Sequence, residues 1–182
     1  VEAAAFFAKM PAPKAPGVAV ICGSGGATVI AADKAELHGV PLPQPGKHAA
    51  AVLQTHVPEF GAARNPCDVT AQVNNNPESL VACVDALFAD DAYGIVVVPN
   101  GHAGQLALDR ARLLGDAAER HGKAACIVSL AQWWDGPGSR EIEADPRIAF
   151  FRSMDRCFGM LAAWNARAGR RHQGLQANSR RS

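Results

Sequence analysis

Three stretches constrain the fold more than anything else in the chain. "GVAVIC" (17–22), "YGIVVVPN" (93–100) and "KAACIVSL" (123–130) are apolar at nearly every position. A strand with one face in water alternates apolar and polar residues, so a continuous run marks a strand covered on both faces. Helix signals lie between these runs. "GGATVIAADKAELH" (25–38) carries Val29, Ile30, Ala32 and Leu37 as the face expected to pack on a sheet, with Gly39 as its left-handed terminator. "KHAAAVLQTHV" is helical up to Pro58, and Pro77 opens "PESLVACVDALFAD" at a favoured first-turn position. "QLALDRARLLGDAAERHG" has an apolar stripe at Leu106, Ala107, Leu113, Leu114 and Ala117. "SMDRCFGMLAAWNARA" is a last helix with Ser153 as its N-cap.

Two shorter strands complete the set: "VPLP" (40–43), whose prolines suit an edge, and "RIAFF" (147–151). "GAARNPCDVTAQVNNNP" (61–77) and "AQWWDGPGSREIEADP" (131–146) read as long irregular connections. Strands alternating with helices predict an α/β fold, a flavodoxin-like three-layer sandwich whose five-stranded parallel sheet has the order 2-1-3-4-5. Residues 1–16 are expected to be a short helix and a Pro-rich linker, 17–168 the domain, and 169–182 a disordered polar tail. In such sheets ligands bind beyond the carboxyl ends of the strands. Those ends fall here at Gly23–Gly26, Asn65–Asp68, Pro99–Gly104 and Leu130–Gly136, on one face.

Bulk properties remove several function classes. The formal net charge of +1 over 182 residues gives no general field for a polyanion. The run "GIVVV" is far too short to span a bilayer, and the N-terminal segment lacks the regions of a signal peptide. Starting at Val1, the chain reads as an excised or processed piece of something longer. Five cysteines (Cys22, Cys67, Cys83, Cys126, Cys157) stand singly among apolar neighbours, with no CxxC and no metal-ligand spacing. They are expected to be reduced core thiols of a cytoplasmic protein, with no metal bound.

The chemistry-bearing candidate is "CGSGGA", where the first strand breaks and a helix restarts at once. The glycines either permit a tight turn or clear space for an anion at the helix N-terminus, where unpaired N–H groups and the helix dipole favour negative charge. No Lys follows, so it is not a P-loop. Thr28 stands where a dinucleotide fingerprint has its third small residue, and "PLPQPG" supplies no acidic partner. With one tyrosine in the chain, Trp133 and Trp134 are poor candidates for flanking a flavin. "CGSGG" approaches the nucleophile elbow GxSxG, but the only histidine after the last strand is His172, so no triad with Ser24 forms. Ser24 is read as the helix N-cap.

Taken together, "GVAVICGSGGATVIAADKAELHGVPLPQ", "LQTHVPEFGAARNPCDVTAQV", "ESLVACVDALFADDAYGIVVV" and "IAFFRSMDRCFGMLAAW" resemble one family. It is that of the NDP-forming acyl-CoA synthetases, which includes the ADP-forming acetate–CoA ligases and succinyl-CoA synthetase. The similarity runs from about Gly17 to Ala168 and is most specific at Asn65–Val69. It implies one flavodoxin-like domain, of beta-subunit type, of a modular enzyme that also has CoA-binding and ATP-grasp domains. In such an enzyme a phosphoryl group passes from acyl phosphate to a histidine of another domain and then to NDP. The resemblance gives Gly23, Ser24, Gly25, Gly26 and Ala27 as phosphate-binding and no catalytic residue in this chain. Possible interdomain contacts are Asn65, Asp68, Asn100 and His102, although an Asx-turn beside Pro66 explains the first two equally well. Arg152 and Arg156 are candidates for acidic partners or simply a solvated face. No cofactor is expected on this domain itself; CoA, NDP or NTP and Mg belong to the whole enzyme. A non-catalytic binding or scaffold module of the same fold, and a Ser24 hydrolase, are the alternatives.

Overall fold

A computed structural model describes residues 2–74, 76–101, 103–132 and 134–179, apart from the side chains of residues 74 and 169–179. The elements run α1 (Glu2–Lys9), β1 (Gly17–Cys22), α2 (Gly25–His38), α3 (Lys47–His56), β2 (Cys67–Asp68), α4 (Thr70–Asn74), α5 (Pro77–Ala89) and β3 (Tyr93–Asn100). They continue with α6 (Gln105–His121), β4 (Ala124–Ser129), α7 (Ser139–Ala144), β5 (Ala149–Phe151) and α8 (Met154–Ser179). The five strands pair in parallel, in the order β2-β1-β3-β4-β5.

The continuous apolar runs do what their composition demands. Ala19, Ile21, Val96, Ala125 and Ile127 face the core under α3, α5 and α6. Their neighbours Val18, Val20, Ile95, Val97, Cys126 and Val128 face a second core under α1, α2 and α8. A two-residue period thus splits each run between two layers. The strands cross closely at their start: a Cβ on Gly17 would stand 2.0 Å from the Ala92 carbonyl oxygen, and one on Gly94 2.1 Å from that of Ala15. The β1–β3 register shifts at this point, between Gly17 and Val18.

Several sequence expectations need correction. The strand beside β1 is Cys67–Asp68, inside the segment read as a loop, and "VPLP" is no strand. Pro41 and Pro43 have no N–H to offer a ladder, so that segment contributes carbonyls instead. Pro41 O accepts from Val18 N (3.0 Å), and Pro43 O accepts from the Tyr93 hydroxyl (2.9 Å). The buried face of α2 is also different: Ala27, Thr28, Ala31 and Ala35 pack inward. Val29, Ile30 and Leu37 are 60, 47 and 66 % exposed. The inward face is thus made of small side chains, and at the α8 side a Cβ on Gly159 would stand 3.3 Å from His38 Cε1.

The N-terminal segment is part of the domain. Phe6 is buried with its ring 5.8 Å from those of Phe151 and Trp164, and Lys9 Nζ donates to the Glu143 and Asp145 carbonyls, 2.9 Å each. Ser153 caps α8 as expected, its Oγ accepting from Arg156 N at 3.4 Å. The backbone of α8 then continues past Ala168 to Ser179, where the sequence suggests a disordered tail. The irregular stretch before β5 contains the short helix α7. The five cysteines are free and buried.

Candidate functional site

The carboxyl edge of the sheet gathers the ends of β1, β2, β3 and β4. Val69 N donates to Cys22 O (2.9 Å), extending the β1–β2 pairing, and Leu130 N donates to Asn100 O (2.8 Å), extending β3–β4. At the centre, β1 leaves the sheet at Gly23 and α2 begins at Gly25. Ser24 is the N-cap residue with extended φ and ψ of −150° and 115°, as the sequence suggests, but its side chain makes no capping bond. Its carbonyl accepts from Ala27 N (3.1 Å) and Thr28 N (3.2 Å). The N–H groups of Gly25 and Gly26 lie in the first turn, ahead of the helix's own acceptors. Both glycines are exposed, whereas Ala27 is buried and belongs to the helix's inner face. Neither glycine has a positive φ. A Cβ on Gly26 would meet only Ser24 Oγ, at 4.0 Å, so the turn does not need glycine there for its backbone.

Asp68 flanks the same terminus. A Cβ on Gly25 would lie 3.1 Å from Asp68 Oδ2. The other carboxylate oxygen accepts from Thr70 N at 2.9 Å. Thr70 has φ of +63°, a left-handed conformation that a β-branched residue rarely adopts. Its Oγ1 accepts from Gln72 N (3.2 Å), and with the Asp68 bond this turns the chain sharply from β2 into α4. The fold thus sets one carboxylate beside the helix terminus and leaves the Gly26 side open.

Asn65 is not on the surface. It is 3 % exposed. Its Oδ1 accepts from Val20 N (2.9 Å), and Nδ2 donates to Val18 O (2.8 Å) and Pro43 O (2.9 Å). The side-chain amide stands in for a strand residue along the free edge of β1, so neither a partner contact nor a local Asx-turn describes its role. Asn100 lines a cavity behind the turn, and His102 lies outside the described residues.

That cavity holds about 280 Å³ between α5, α6 and the ends of β1, β3 and β4. Its apolar walls include Leu80, Val84, Val98, Ala111, Leu114 and Ile127, and Arg110 of α6 reaches it. Sequence reading passed over Arg110. Its signal was position: it falls three residues after Ala107 and four before Leu114, within the stripe that the structure buries. Cys22 also lines the cavity, and burial pushes its thiol up to about 11, so it is neutral at physiological pH and no nucleophile. The described histidines lie elsewhere. His38 contacts Asp155, His56 contacts Ser79, His121 contacts Asp85, and His48 lines a groove with His56. Ser24 therefore has no base among the described residues. Trp134 is buried in the core, its ring 4.7 Å from that of Phe150, and Trp133 lies outside the described residues. Arg152 and Arg156 pair within the chain, with Glu143 and Glu2.

No protein-family model matches this chain, and no curated protein does so significantly. Solved structures do. The fold is that of a segment of much longer chains. The dinucleotide forming acetyl-coenzyme A synthetase 1 of Ca. Korarchaeum cryptofilum, in complex with phosphate and ADP, superposes with a TM-score of 0.72 at 21 % identity. The match covers 92 % of this chain and 36 % of that one. Its apo form gives the same TM-score and identity over 37 % of its length. PH0766 from Pyrococcus horikoshii OT3 matches with a TM-score of 0.72 at 18 % identity, over 92 % of this chain and 39 % of its own. The chain thus spans little more than a third of each. Among the described residues no helix is long and apolar enough to cross a membrane, and no cluster of three or more His, Cys, Asp or Glu side chains is placed to hold a metal ion.

Proposed function

We propose that this chain is the phosphoryl-docking and partner-contact domain of a cytoplasmic NDP-forming acyl-CoA synthetase. The whole enzyme would interconvert acyl-CoA, NDP and phosphate with a carboxylic acid, CoA and NTP. CoA-binding and ATP-grasp domains would hold the substrates, and a histidine of another domain would carry the phosphoryl group. The observation that supports this reading most is the α2 terminus. Two exposed glycines open a 14-residue helix that has no side-chain cap, at the carboxyl edge of the sheet. Its outer face continues as the exposed stripe Val29, Ile30 and Leu37. An uncapped N-terminus suits an anion, and exposed apolar side chains on the same helix suit contact with the domain that delivers the anion. The shared fold with part of an acetyl-coenzyme A synthetase is consistent with that assignment.

One observation favours the second reading, a binding or scaffold module without the chemistry: the Asp68 carboxylate beside Gly25 already answers part of the helix dipole. The two readings separate at Gly26. Gly26→Asp should fold normally, because the backbone there is not left-handed and acidic residues are favoured in a first helical turn. Its charge would stand beside the docked phosphoryl oxygens. Like charges about 4 Å apart repel by about 4 kcal/mol at an effective dielectric of 20. Phosphoenzyme formation in the assembled enzyme should then fall by about three orders of magnitude. Gly26→Ala, the steric control, should lose far less. Wild-type phosphorylation by a folded Gly26→Asp enzyme would leave the scaffold reading.

A further inference from the structure

The α3–α5 helix pair lies across the sheet from α2, in the layer that covers the first core, and takes no part in the glycine turn. The two helices run antiparallel. His56 Nδ1 meets Ser79 Oγ at 3.1 Å where α3 ends and α5 begins. Gly46 N donates to Asp90 Oδ2 at 2.6 Å where α3 begins and α5 ends. Helix α5 turns Leu80, Cys83, Val84 and Leu87 into the core. A surface helix ordinarily carries a polar outer face. In "PESLVACVDALFA" the only charged residues are Glu78 and Asp85, and Val81 is 43 % exposed. Val81, Ala82, Ala86 and Ala89 instead line, with Val52 of α3, a groove of about 640 Å³. Their small side chains let a second helix approach closely.

The two ends of this groove differ in charge. Glu78 stands exposed at the end where α5 begins, and His48 stands exposed at the other, next to Lys47. The neighbouring acids are already engaged. Asp85 pairs with Arg120 and His121 of α6 at 2.9 Å each, and Asp90 accepts from the Gly46 and Ala92 amides. A complementary partner therefore brings apolar side chains to the middle, a cation to Glu78 and an anion to His48 and Lys47. A second copy of the groove, reversed end to end about a two-fold axis, brings that set. The other face-to-face two-fold arrangement sets Glu78 against Glu78, so charge selects between them. Closed two-fold pairs are also the commonest symmetric assemblies.

We propose that this chain self-associates through the α3–α5 groove, with Val81 near the two-fold axis and Glu78 against His48 and Lys47 of the second copy. Ten residues line the groove, fewer than the roughly 20–30 a side of a standard interface, so the association is weak. It is independent of whether the α2 terminus docks a phosphoryl group.

Sedimentation equilibrium of the full 182-residue chain should show monomer–dimer exchange with a Kd between about 10 µM and about 1 mM. NMR shifts that change with concentration should centre on Val52, Val81 and Ala82. Val81→Arg, at an exposed position, should keep the wild-type Tm and leave the chain monomeric. Glu78→Lys and His48→Glu should each weaken the dimer about tenfold, because symmetry repeats the altered contact twice. Mixed in equal amounts, these two variants should associate about as tightly as wild type. Their heterodimer pairs Lys with Glu at one contact and keeps the native pair at the other. If Val81→Arg loses the fold, the charge variants still decide. A chain that stays monomeric to about 1 mM overturns the proposal and leaves the groove to a helix of a different protein. It is overturned equally if folded Val81→Arg dimerises like wild type, or if the mixed variants associate no better than either alone. Concentration-dependent shifts confined to another face, such as the exposed side of α2, also overturn it.

Discussion

Asn65 shows at the scale of one residue how a polar side chain can replace backbone. Strand β2 is only two residues long, so it leaves most of β1 without a partner on that side. The Asn65 amide fills the gap: it accepts from Val20 N and donates to Val18 O and Pro43 O. Removing it takes the side-chain partner from the buried Val20 N and Val18 O, while Pro43 O keeps the Tyr93 hydroxyl. Each buried unsatisfied group costs about 1–3 kcal/mol. Asn65→Ala should therefore destabilise the chain by about 3 kcal/mol or more, read from urea midpoints at unchanged m-value. A loss below about 1 kcal/mol would mean that these bonds are made equally well by something else. The sequence marks the "NPCD" segment as special but not in which direction. An asparagine before a proline reads as a turn residue, and nothing local shows that its amide spans the 45 residues back to Val20. Arg110 was obscure for a related reason, because one charge in an apolar stripe looks like a helix edge until the opposing helix is in place.

At the scale of elements, legibility followed how much of the decision was local. β1 and β3 could be read to the residue, because a continuous apolar run bounded by glycine or a turn has one stable home. The inward face of α2 could not. Hydrophobicity alone favours Val29, Ile30 and Leu37, yet the side chains that turn in toward β1 and α8 are the small ones, Ala27, Thr28, Ala31 and Ala35. Connections between elements are decided even less locally, as Arg147 illustrates. Its guanidinium grips both oxygens of Asp145, at 3.0 and 2.8 Å, and reaches Asp116 on α6, tying the turn before β5 to that helix. Gly115 leaves room for it, since a Cβ there would stand 3.0 Å from the guanidinium carbon. The Arg147 hydrogen bond holds the Asp145 carboxyl below the usual carboxylate range, against the opposing effect of burial. The stability this contributes is full above the unfolded pKa of about 3.9 and is lost as pH falls through the lower folded value. Arg147→Met should cost about 2 kcal/mol at pH 7. The gap to wild type should hold to about pH 5 and close below about pH 4. Urea midpoints at pH 7, 5 and 3 would check it, and a gap independent of pH would assign the loss to packing alone.

For the whole molecule the open issue is where the domain begins and ends. Composition places its limits at residues 17 and 168, because a short helix before a Pro-rich stretch and an arginine-rich tail both read as appendages. Packing treats the two ends differently. Phe6 and Met10 belong to the second core with Phe151, Phe158 and Trp164, and Lys9 bonds backbone carbonyls on either side of α7's end. Burying a Phe or Met side chain is worth about 1.5–3 kcal/mol each. Deleting residues 1–10 should thus remove about 5 kcal/mol, comparable with the whole reserve of many domains. The expected result is a fall in Tm of more than about 10 °C, or loss of the cooperative transition altogether. The other end should behave oppositely. Residues 169–182 contain only Leu175 and Ala177 as apolar side chains besides glycine, too little to offset their ordering entropy. The last described anchors of α8 lie before them: Trp164 Nε1 donates to Pro11 O (3.0 Å), Asn165 Nδ2 to Pro16 O (2.9 Å), and Arg167 lies 5.2 Å from the Phe7 ring. Truncation after Ala168 keeps all three, so thermal unfolding of that variant should match the full chain within error. A drop of several degrees would place a stabilising contact beyond Ala168 and move the domain boundary toward Ser179.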